Sequence, residues 1–327
     1  MGARTTGRLL PADFRLILRN AAKTERTDHP DTRKIATGTG FEEKIAMNAI
    51  NSSSRLRYEI IKPKIGARVL NTKEELLSGE LSAALNELLE DRGVLVFKKV
   101  DFTDAEQVAF TNSVGGIIDE VTGEQVYPIS LDKELKGAGA EYLKGSLYWH
   151  VDGAMNAVPV RGSVLTSKVL PTWGGNTEFA NCYAAYDDLP QETRDRIDPM
   201  RVLHAFWAAS MYHTPEPTPE QFADWLTKGD GGERELPLVF KHPSGRKSLI
   251  LGNSAAYVRG LEPTESARLL HGLRAFATSE PYHYAHEWDQ GDAVMWDNTG
   301  TLHRAMPYDP DCGRLLHRTI FKGDTWG

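Results

Sequence analysis

Two short stretches of this chain of 327 residues, 149–153 and 296–318, combine histidine, acidic and arginine side chains with apolar neighbours. The first is Trp149-His150-Val151-Asp152-Gly153. The second begins at Trp296-Asp297-Asn298 and continues through His303 to Arg314 and Arg318. We interpret them as two halves of one site, which constrains the fold because the remaining chain must bring them together.

The first half offers an imidazole and a carboxylate with a spacing of two residues. Successive side chains of a β-strand point to opposite faces, so on a strand His150 and Asp152 would share one face. His303 would add a second imidazole from the other half. Two histidines and one carboxylate form the facial triad of non-haem iron(II) oxygenases, which leaves coordination positions open for a cosubstrate and oxygen. A surface pair or a capped turn is the alternative interpretation of this motif.

Other histidines are less suited to bind a metal. His29-Pro30-Asp31 repeats the spacing, but it contains a proline and lies in a charge-rich stretch without strand signals. His204 lies in a strand-like segment and is predicted to be structural, since the triad is already complete. His283 and His286 have no convincing ligand spacing.

The second half ends in two arginines on a predicted strand. A turn signal at residues 309–313 precedes a strand-like segment at 314–321, on which Arg314 and Arg318 share a face. If the turn folds this strand back beside His303, both guanidiniums approach the metal. Buried arginines need anionic partners and bind carboxylates through two parallel hydrogen bonds. A dicarboxylate cosubstrate would satisfy one arginine and an acidic substrate the other; two surface arginines on an edge strand are the alternative.

With these motifs the sequence resembles the taurine dioxygenase and dichlorophenoxyacetate dioxygenase family of iron(II)- and 2-oxoglutarate-dependent enzymes, over roughly residues 57–325. Six segments carry the resemblance in family order: Trp149-His150-Val151-Asp152, Gly174-Gly175-Asn176-Thr177, His242-Pro243-Ser244-Gly245, the run from Gly291-Asp292 to Asp297-Asn298, Leu302-His303-Arg304-Ala305, and Arg314-Leu315-Leu316-His317-Arg318.

The resemblance implies a mixed, mainly β fold with a double-stranded β-helix (jelly-roll) core and flanking helices. It implies that His150, Asp152 and His303 hold Fe(II), that Thr177 and Arg314 hold the distal carboxylate of 2-oxoglutarate, and that Arg318 meets an acidic group of the substrate. The implied reaction consumes O2, oxidises an unactivated C–H bond of a small organic substrate, and releases succinate and carbon dioxide. Desaturation, cyclisation or demethylation at the same iron, and a catalytically silent jelly-roll binding protein, stay open as alternatives.

The sequence also departs from the family pattern. Residues 115–120 contain no histidine where the taurine enzyme carries a substrate-binding one, which argues against a sulfonate held in the same way. Val151 stands where many relatives have threonine. The presence of Asp152 disfavours halogenation, because halogenating relatives need that position vacant.

The predicted organisation is an N-terminal extension at residues 1–56, without an assigned role, followed by a dioxygenase domain at 57–327. Residues 115–148 are predicted to be a loop-rich lid, with one strand-like piece at 126–129. Asp119, Tyr127 and Tyr142 in this lid are candidate substrate-binding residues. A proline- and aromatic-rich insertion at 207–236 is a second candidate cover for the substrate.

Composition narrows the choice of partners. The formal net charge of −7 argues against nucleic acid as a main partner, and no apolar run reaches the ~20 residues of a membrane span. Two cysteines do not make a disulfide framework. Since ferrous iron also suits a reducing compartment, we expect a cytoplasmic protein that acts on a small molecule, and the sequence is compatible with a homo-oligomer.

Overall fold

The computed structural model describes residues 55–119, 123–137, 139–228, 232–323 and 325–326. The N-terminal extension up to residue 54, and with it the His29-Pro30-Asp31 motif, lies outside the described residues. Leu56 is buried and packs with the core of the following domain. Within the described part of the chain, no helix is long and apolar enough to cross a membrane.

The described chain is mainly β with flanking helices, as predicted. Its strands are β1 (Tyr58–Lys62), β2 (Ile65–Val69), β3 (Val94–Phe97), β4 (Ile117–Ile118), β5 (Tyr127–Ile129), β6 (Val160–Val169), β7 (Thr177–Asn181), β8 (Arg201–Ala205), β9 (Glu233–Pro237), β10 (Val239–Lys241), β11 (Lys247–Leu249), β12 (Ala255–Val258), β13 (His283–His286), β14 (Ala293–Asp297), β15 (Thr301–Ala305) and β16 (Leu315–Lys322). Its helices are Lys73–Leu77, Ser82–Arg92, Asp104–Gly115, Lys133–Lys136, Gly139–Leu143, Cys182–Asp187, Gln191–Ile197, Phe206–Ser210, Pro219–Trp225 and Pro263–Ala277, with 3-10 turns at Lys144–Leu147 and Glu280–Tyr282.

The largest sheet runs in the order β1-β2-β3-β14-β6-β16-β4, and β5 also pairs with β16. The small sheet β13-β7-β15 faces it. Phe179 of β7 packs in one apolar cluster with Val94 and Val96 of β3 and with Val294 and Trp296 of β14. These two facing sheets enclose this apolar cluster, and they are separate sheets rather than one closed barrel.

The other face of the large sheet is covered by helices. Leu95 and Phe97, which alternate with Val94 and Val96 along β3, pack in a second apolar cluster with Leu85 and Phe110. These two residues lie on the helices Ser82–Arg92 and Asp104–Gly115. Because alternate side chains of a strand point to opposite faces, a strand covered on both sides reads as a continuous apolar run.

The predicted lid is more regular than expected. Besides the strand-like piece at β5, residues 115–148 contain β4, the helices Lys133–Lys136 and Gly139–Leu143 and the 3-10 turn Lys144–Leu147. The prediction that 126–129 is the one strand-like piece is wrong, because β4 is a second short strand in this region. Helices this short cannot display a repeating apolar stripe, which is the signal by which sequence reasoning finds a helix.

Candidate metal centre

The two histidines of the predicted triad meet through the backbone. The N–H of His150 donates to the carbonyl of His303 at 3.0 Å, and the N–H of His303 donates to the carbonyl of His150 at 3.1 Å. Two opposed residues that exchange both hydrogen bonds form one rung of an antiparallel ladder. The imidazole rings consequently lie side by side, with centroids 4.0 Å apart. This single bridge joins the two distant sequence stretches.

Asp152 reaches the same place by a different route from the one predicted. Only His150 forms a bridge, and Asp152 lies in a turn, so the prediction of a strand across residues 149–153 is wrong. The side chain of Asn298 supplies the backbone of Asp152 with the hydrogen bonds that a neighbouring strand would otherwise make. Its side-chain oxygen accepts from the N–H of Asp152 at 2.8 Å, and its amide group donates to the carbonyls of Asp152 at 2.9 Å and Val160 at 2.8 Å. Gly153 lies within the turn with a φ of 63°, which favours glycine.

The three side chains converge on one point. Asp152 Oδ1 lies 3.5 Å from His150 Nε2, and Asp152 Oδ2 lies 3.4 Å from His303 Nε2. One donor atom from each of the three residues lies within 4.8 Å of the other two. The Nδ1–H of His150 donates to the Tyr148 carbonyl at 2.9 Å, which leaves Nε2 to face the centre. Such a hydrogen bond on the outer nitrogen is typical of metal-binding histidines.

The protonation states suit a divalent metal. Burial opposes ionisation of Asp152, but the Arg318 guanidinium and His303 hold the pKa of this carboxyl well below its usual range. Burial, together with the neighbouring His150, lowers the pKa of His303 to about 4. At neutral pH the carboxylate is ionised and the His303 imidazole is neutral, as metal ligands must be. Two imidazoles, one carboxylate and open positions are the donor set that suits non-haem Fe(II).

Arg318 lies at the centre, but it approaches from an unexpected side. β16 pairs with β6, β4 and β5 of the large sheet and not with β15, so the prediction that it folds back beside His303 is wrong. The guanidinium instead reaches out from the facing sheet and donates to Asp152 Oδ2 at 2.9 Å. It also lies 5.8 Å from the ring centre of Tyr127, the residue opposite it on β5.

Arg314, one of the two residues predicted to hold the cosubstrate, is buried and contacts the chain two residues before the other, Thr177. Arg314 is 1% exposed, donates to the Gly175 carbonyl at 2.8 Å and lies 4.5 Å from the ring centre of Tyr308. Its Nε has no hydrogen-bond partner, and within the described residues no carboxylate lies within 4.0 Å of it. The alternative of surface arginines on an edge strand is therefore wrong for Arg314. A side chain on Gly175 would place its Cβ 2.9 Å from Arg314 Nε, which explains the glycine.

A polar residue that sequence reasoning missed contacts Thr177. The indole N–H of Trp288 donates to Thr177 Oγ1 at 3.1 Å. Trp288 follows β13, and His286 of that strand is the direct partner of Thr177 on β7. No motif marked Trp288, because the fold and not the local sequence decides which group accepts from a tryptophan N–H.

The remaining candidate substrate residues are spread over the lid. Asp119 is exposed, and Tyr127 is half-buried beside Arg318. Tyr142 is 60% exposed and its ring stacks on Phe206, with centroids 5.8 Å apart.

A second aromatic pair joins the lid to the insertion itself. The ring of Tyr148, just ahead of His150, lies 5.1 Å from the ring of Tyr212. The predicted lid therefore contacts the predicted insertion through Tyr212 and the residue just before the insertion through Phe206, and both contacts lie after β8.

The other histidines that the sequence analysis considered and the structure describes have polar protein partners. His204 is fully buried with its Nδ1 2.9 Å from the Ser254 hydroxyl, and burial lowers its pKa to about 3, as a structural histidine requires. His283 faces Glu178 at 3.4 Å, and His286 faces Asp292 at 3.2 Å. In the described part of the chain, the triad is the one group of three or more such side chains close enough to hold a metal ion.

Comparison with known proteins gives a consistent result. The chain is 34% identical over 239 residues to (S)-phenoxypropionate/alpha-ketoglutarate-dioxygenase of Sphingobium herbicidovorans, covering 71% of this chain and 82% of that protein. It is 29% identical over 282 residues to the alpha-ketoglutarate-dependent 2,4-dichlorophenoxyacetate dioxygenase of Cupriavidus pinatubonensis, and this match covers 79% of this chain and 94% of that protein. The crystal structure of AAD-2 with Mn(II) and N-oxalylglycine superimposes with a TM-score of 0.71 at 27% identity, covering 84% of this chain and all of that one.

These relatives and the His-Asp-His centre identify the chain as an oxidoreductase, a 2-oxoglutarate-dependent dioxygenase that uses Fe(II), 2-oxoglutarate and O2 on a small organic substrate. Residues 57–320 match the family described as "Taurine catabolism dioxygenase TauD, TfdA family", which extends over most of the described domain. The chain therefore belongs to the TauD/TfdA family of dioxygenases.

Proposed function

We propose that this protein oxidises a C–H bond of a small carboxylic acid with an apolar, aromatic-sized body, such as a phenoxyalkanoate. The observation that carries the proposal is the convergence of His150, Asp152 and His303 on one point while Arg314 lies buried nearby in sequence without a carboxylate partner. A metal centre together with a buried carboxylate receptor is what a 2-oxo dicarboxylate cosubstrate requires.

In this proposal His150, Asp152 and His303 hold Fe(II). When bound with 2-oxoglutarate and O2, the iron supplies the oxidising power for C–H cleavage, and succinate and carbon dioxide are released. The chain itself fixes the ligand geometry. Tyr148 orients the His150 ring through its carbonyl, and Asn298 holds the backbone of Asp152. Because these contacts set both ligand positions before the metal arrives, little reorganisation is needed on binding.

Arg314 and Thr177 hold the distal carboxylate of 2-oxoglutarate. A guanidinium that is buried without an anion is costly, and a planar carboxylate offers it two parallel hydrogen bonds. Its Nη2 is fixed by the Gly175 carbonyl, two residues before Thr177, so the guanidinium is oriented before the ligand binds.

Arg318 receives the acidic group of the substrate. Its Nη1 contacts the metal-binding carboxylate of Asp152, so an acid bound to the same guanidinium is held next to the metal centre. The relatives named for phenoxypropionate and 2,4-dichlorophenoxyacetate support a carboxylate attached to an aromatic ether. The absence of a histidine at residues 115–120 supports a carboxylate over a taurine-like sulfonate.

The lid at 115–148 and the insertion at 207–236 together cover the body of the substrate. Support comes from the Tyr148–Tyr212 ring pair, which links the two segments, and from the stacking of Tyr142 on Phe206, the residue just before the insertion. Tyr127 lies beside Arg318 and adds a further aromatic ring near the acid. Asp119 is exposed, so it has the weakest support of the four candidate substrate-binding residues. The domain at 57–327 carries all these residues, and the extension at 1–56 is assigned no part in them.

We also place the enzyme in the cytoplasm, where ferrous iron and the unpaired Cys182 and Cys312 stay reduced, with a jelly-roll core as in its family. Light scattering on the purified protein will distinguish a monomer from a homo-oligomer.

The decisive experiment is an anaerobic titration of the protein with Fe(II) and 2-oxoglutarate, followed by the weak visible charge-transfer band of the bound pair. His150→Ala should abolish the band, and His271→Ala, at an exposed helix position, should preserve it. Succinate release should then be measured with phenoxyacetate, 2-phenoxypropionate, their amides and taurine. We expect turnover of the acids and not of the amides. A band that survives in His150→Ala contradicts the ligand assignment, and turnover of the amides contradicts the role of Arg318.

A further inference from the structure

Thr177 is already engaged by a neighbour that the proposed site does not include. Trp288 donates its indole N–H to Thr177 Oγ1. An indole nitrogen can donate a hydrogen bond but cannot accept one, so the Thr177 oxygen is necessarily the acceptor. The proton of the hydroxyl must then point away from Trp288. In the part of the chain that the structure describes, Thr177 makes no other side-chain hydrogen bond, so this proton is available to a ligand.

Arg314 also has a hydrogen-bond donor that is available to a ligand. Its Nε is buried without a hydrogen-bond partner, and its Nη2 contacts the carbonyl of Gly175, two residues from Thr177. The beginning of β7 and the residue before β16 therefore present donors without acceptors. An anion is the ligand that satisfies both.

We propose that Trp288 is a positioning residue for the cosubstrate, because its indole N–H fixes the Thr177 hydroxyl as a donor to the distal carboxylate of 2-oxoglutarate. This inference rests on the proposed function of Thr177 and Arg314. Without Trp288 the hydroxyl rotates freely, and part of its population presents the oxygen lone pairs, which repel a carboxylate.

A buried framework holds Trp288 in place. Its ring packs at 89° against the ring of His286, with centroids 4.5 Å apart. His286 Nδ1 lies 3.0 Å from the Tyr284 hydroxyl, and its Nε2 faces Asp292, which in turn accepts from Lys98 at 2.6 Å. Since His286 is also the direct strand partner of Thr177, the indole and the hydroxyl are positioned by the same rung of the sheet.

The test compares two ligands. 2-Oxopentanoate has the chain length of 2-oxoglutarate but a methyl group in place of the distal carboxylate. Anaerobic titrations of the Fe(II) protein, followed by the charge-transfer band, give the dissociation constant of each oxo acid. In Trp288→Phe, which keeps an aromatic ring but loses the N–H, we expect 2-oxoglutarate to bind about 5- to 10-fold more weakly. 2-Oxopentanoate should bind as it does to the wild type.

A double-mutant cycle tests whether Trp288 acts through Thr177. Thr177→Val removes the hydroxyl, and on that background Trp288→Phe should cause no further loss of 2-oxoglutarate affinity. Trp288→His restores a ring N–H and should recover part of the affinity. Trp326→Phe is the matched control, because Trp326 also donates at 3.1 Å, to the Asn156 carbonyl, and contacts neither Thr177 nor Arg314.

Two results overturn the inference. The first is an equal weakening of both oxo acids in Trp288→Phe, which indicates a merely structural role. The second is an undiminished effect of Trp288→Phe on the Thr177→Val background. A wild-type protein that binds the two oxo acids equally well overturns the proposed carboxylate site itself, and that result is visible before any variant is made.

Discussion

Replacement of Arg314 by methionine should separate fold stability from cosubstrate binding. Arg314 is almost completely buried, and burial lowers the pKa of its guanidinium. A buried ion without a counter-charge costs several kcal/mol even after relaxation. The losses in Arg314→Met are smaller: one hydrogen bond to Gly175, of about 1 kcal/mol, and the contact with the Tyr308 ring, of about 1–2 kcal/mol. We therefore expect the free energy of unfolding of the ligand-free protein to stay constant or to rise by about 1–3 kcal/mol.

The same substitution should remove cosubstrate binding. A close charge pair at a buried site contributes about 2–5 kcal/mol, so 2-oxoglutarate should bind at least ~30-fold more weakly. At a 2-oxoglutarate concentration of 100 times the dissociation constant, the wild type gains about 2.7 kcal/mol of stability. That gain should nearly vanish in the variant at the same concentration.

The assay is urea unfolding of the anaerobic Fe(II) protein with and without 2-oxoglutarate. Arg92→Met is the matched control, because Arg92 is a largely buried arginine that donates to the carbonyls of Lys62 and Pro63. It should lose stability and keep the 2-oxoglutarate effect. The reasoning is refuted if Arg314→Met destabilises the ligand-free protein by more than about 3 kcal/mol, or if the variant is stabilised by 2-oxoglutarate as strongly as the wild type.

Three further predictions concern single residues. Asn298→Ala removes the side-chain partner of one buried and two partly buried backbone groups, so it should lower the free energy of unfolding by about 3 kcal/mol and weaken Fe(II) binding ~10- to 100-fold. Unchanged Fe(II) affinity in a metal titration contradicts its role in holding Asp152. Arg318→Gln removes the cation that lowers the pKa of Asp152, so the lowest pH at which the protein still binds Fe(II) should rise. The KM for the substrate acid should also rise ~100-fold or more. An unchanged pH limit of Fe(II) binding contradicts the contact between Arg318 and Asp152. His204 has a pKa of about 3 in the folded protein and about 6.5 when unfolded, so it contributes stability above pH 6.5 that is lost as the pH falls towards 3. When the pH falls from 6.5 to 5, the free energy of unfolding of the metal-free wild type should decrease by about 2 kcal/mol more than that of His204→Gln. Equal decreases of the two proteins in urea unfolding refute this prediction.

The metal centre could be predicted from the sequence because two histidines and one carboxylate, placed among apolar segments, are typical of a metal site. His150, Asp152 and His303 could be paired across the chain because two imidazoles and a carboxylate suit one metal, and the arginines pointed to anions. The strands were also recognisable, since β3 and β14 are apolar on both faces and stand out from their neighbours. Thr72 and Thr103 each form a capping box with a glutamate three residues later, a spacing that is visible in the sequence.

The route by which these residues meet could not be predicted. The sequence does not say that Asp152 lies in a turn, because the hydrogen bonds that hold it come from Asn298, far along the chain. Nor does it say that Arg318 approaches from the facing sheet, since strand pairing is decided by long-range packing and not by the local pattern. Trp288 was missed for a related reason: its partner Thr177 becomes a neighbour only when β7 and β13 pair.

Because one pair of backbone hydrogen bonds aligns His150 with His303, the position of the His150 ring depends on the number of residues between the neighbouring anchors. On one side the Trp149 carbonyl accepts from the N–H of Asn253 at 2.8 Å, and on the other Asn298 grips Asp152. An insertion or deletion of one residue between these anchors would shift the register and present Trp149 or Val151 to the metal in place of the imidazole. Length variation among natural or engineered versions of this enzyme should therefore accumulate in the covering segments and leave residues 149–152 uninterrupted.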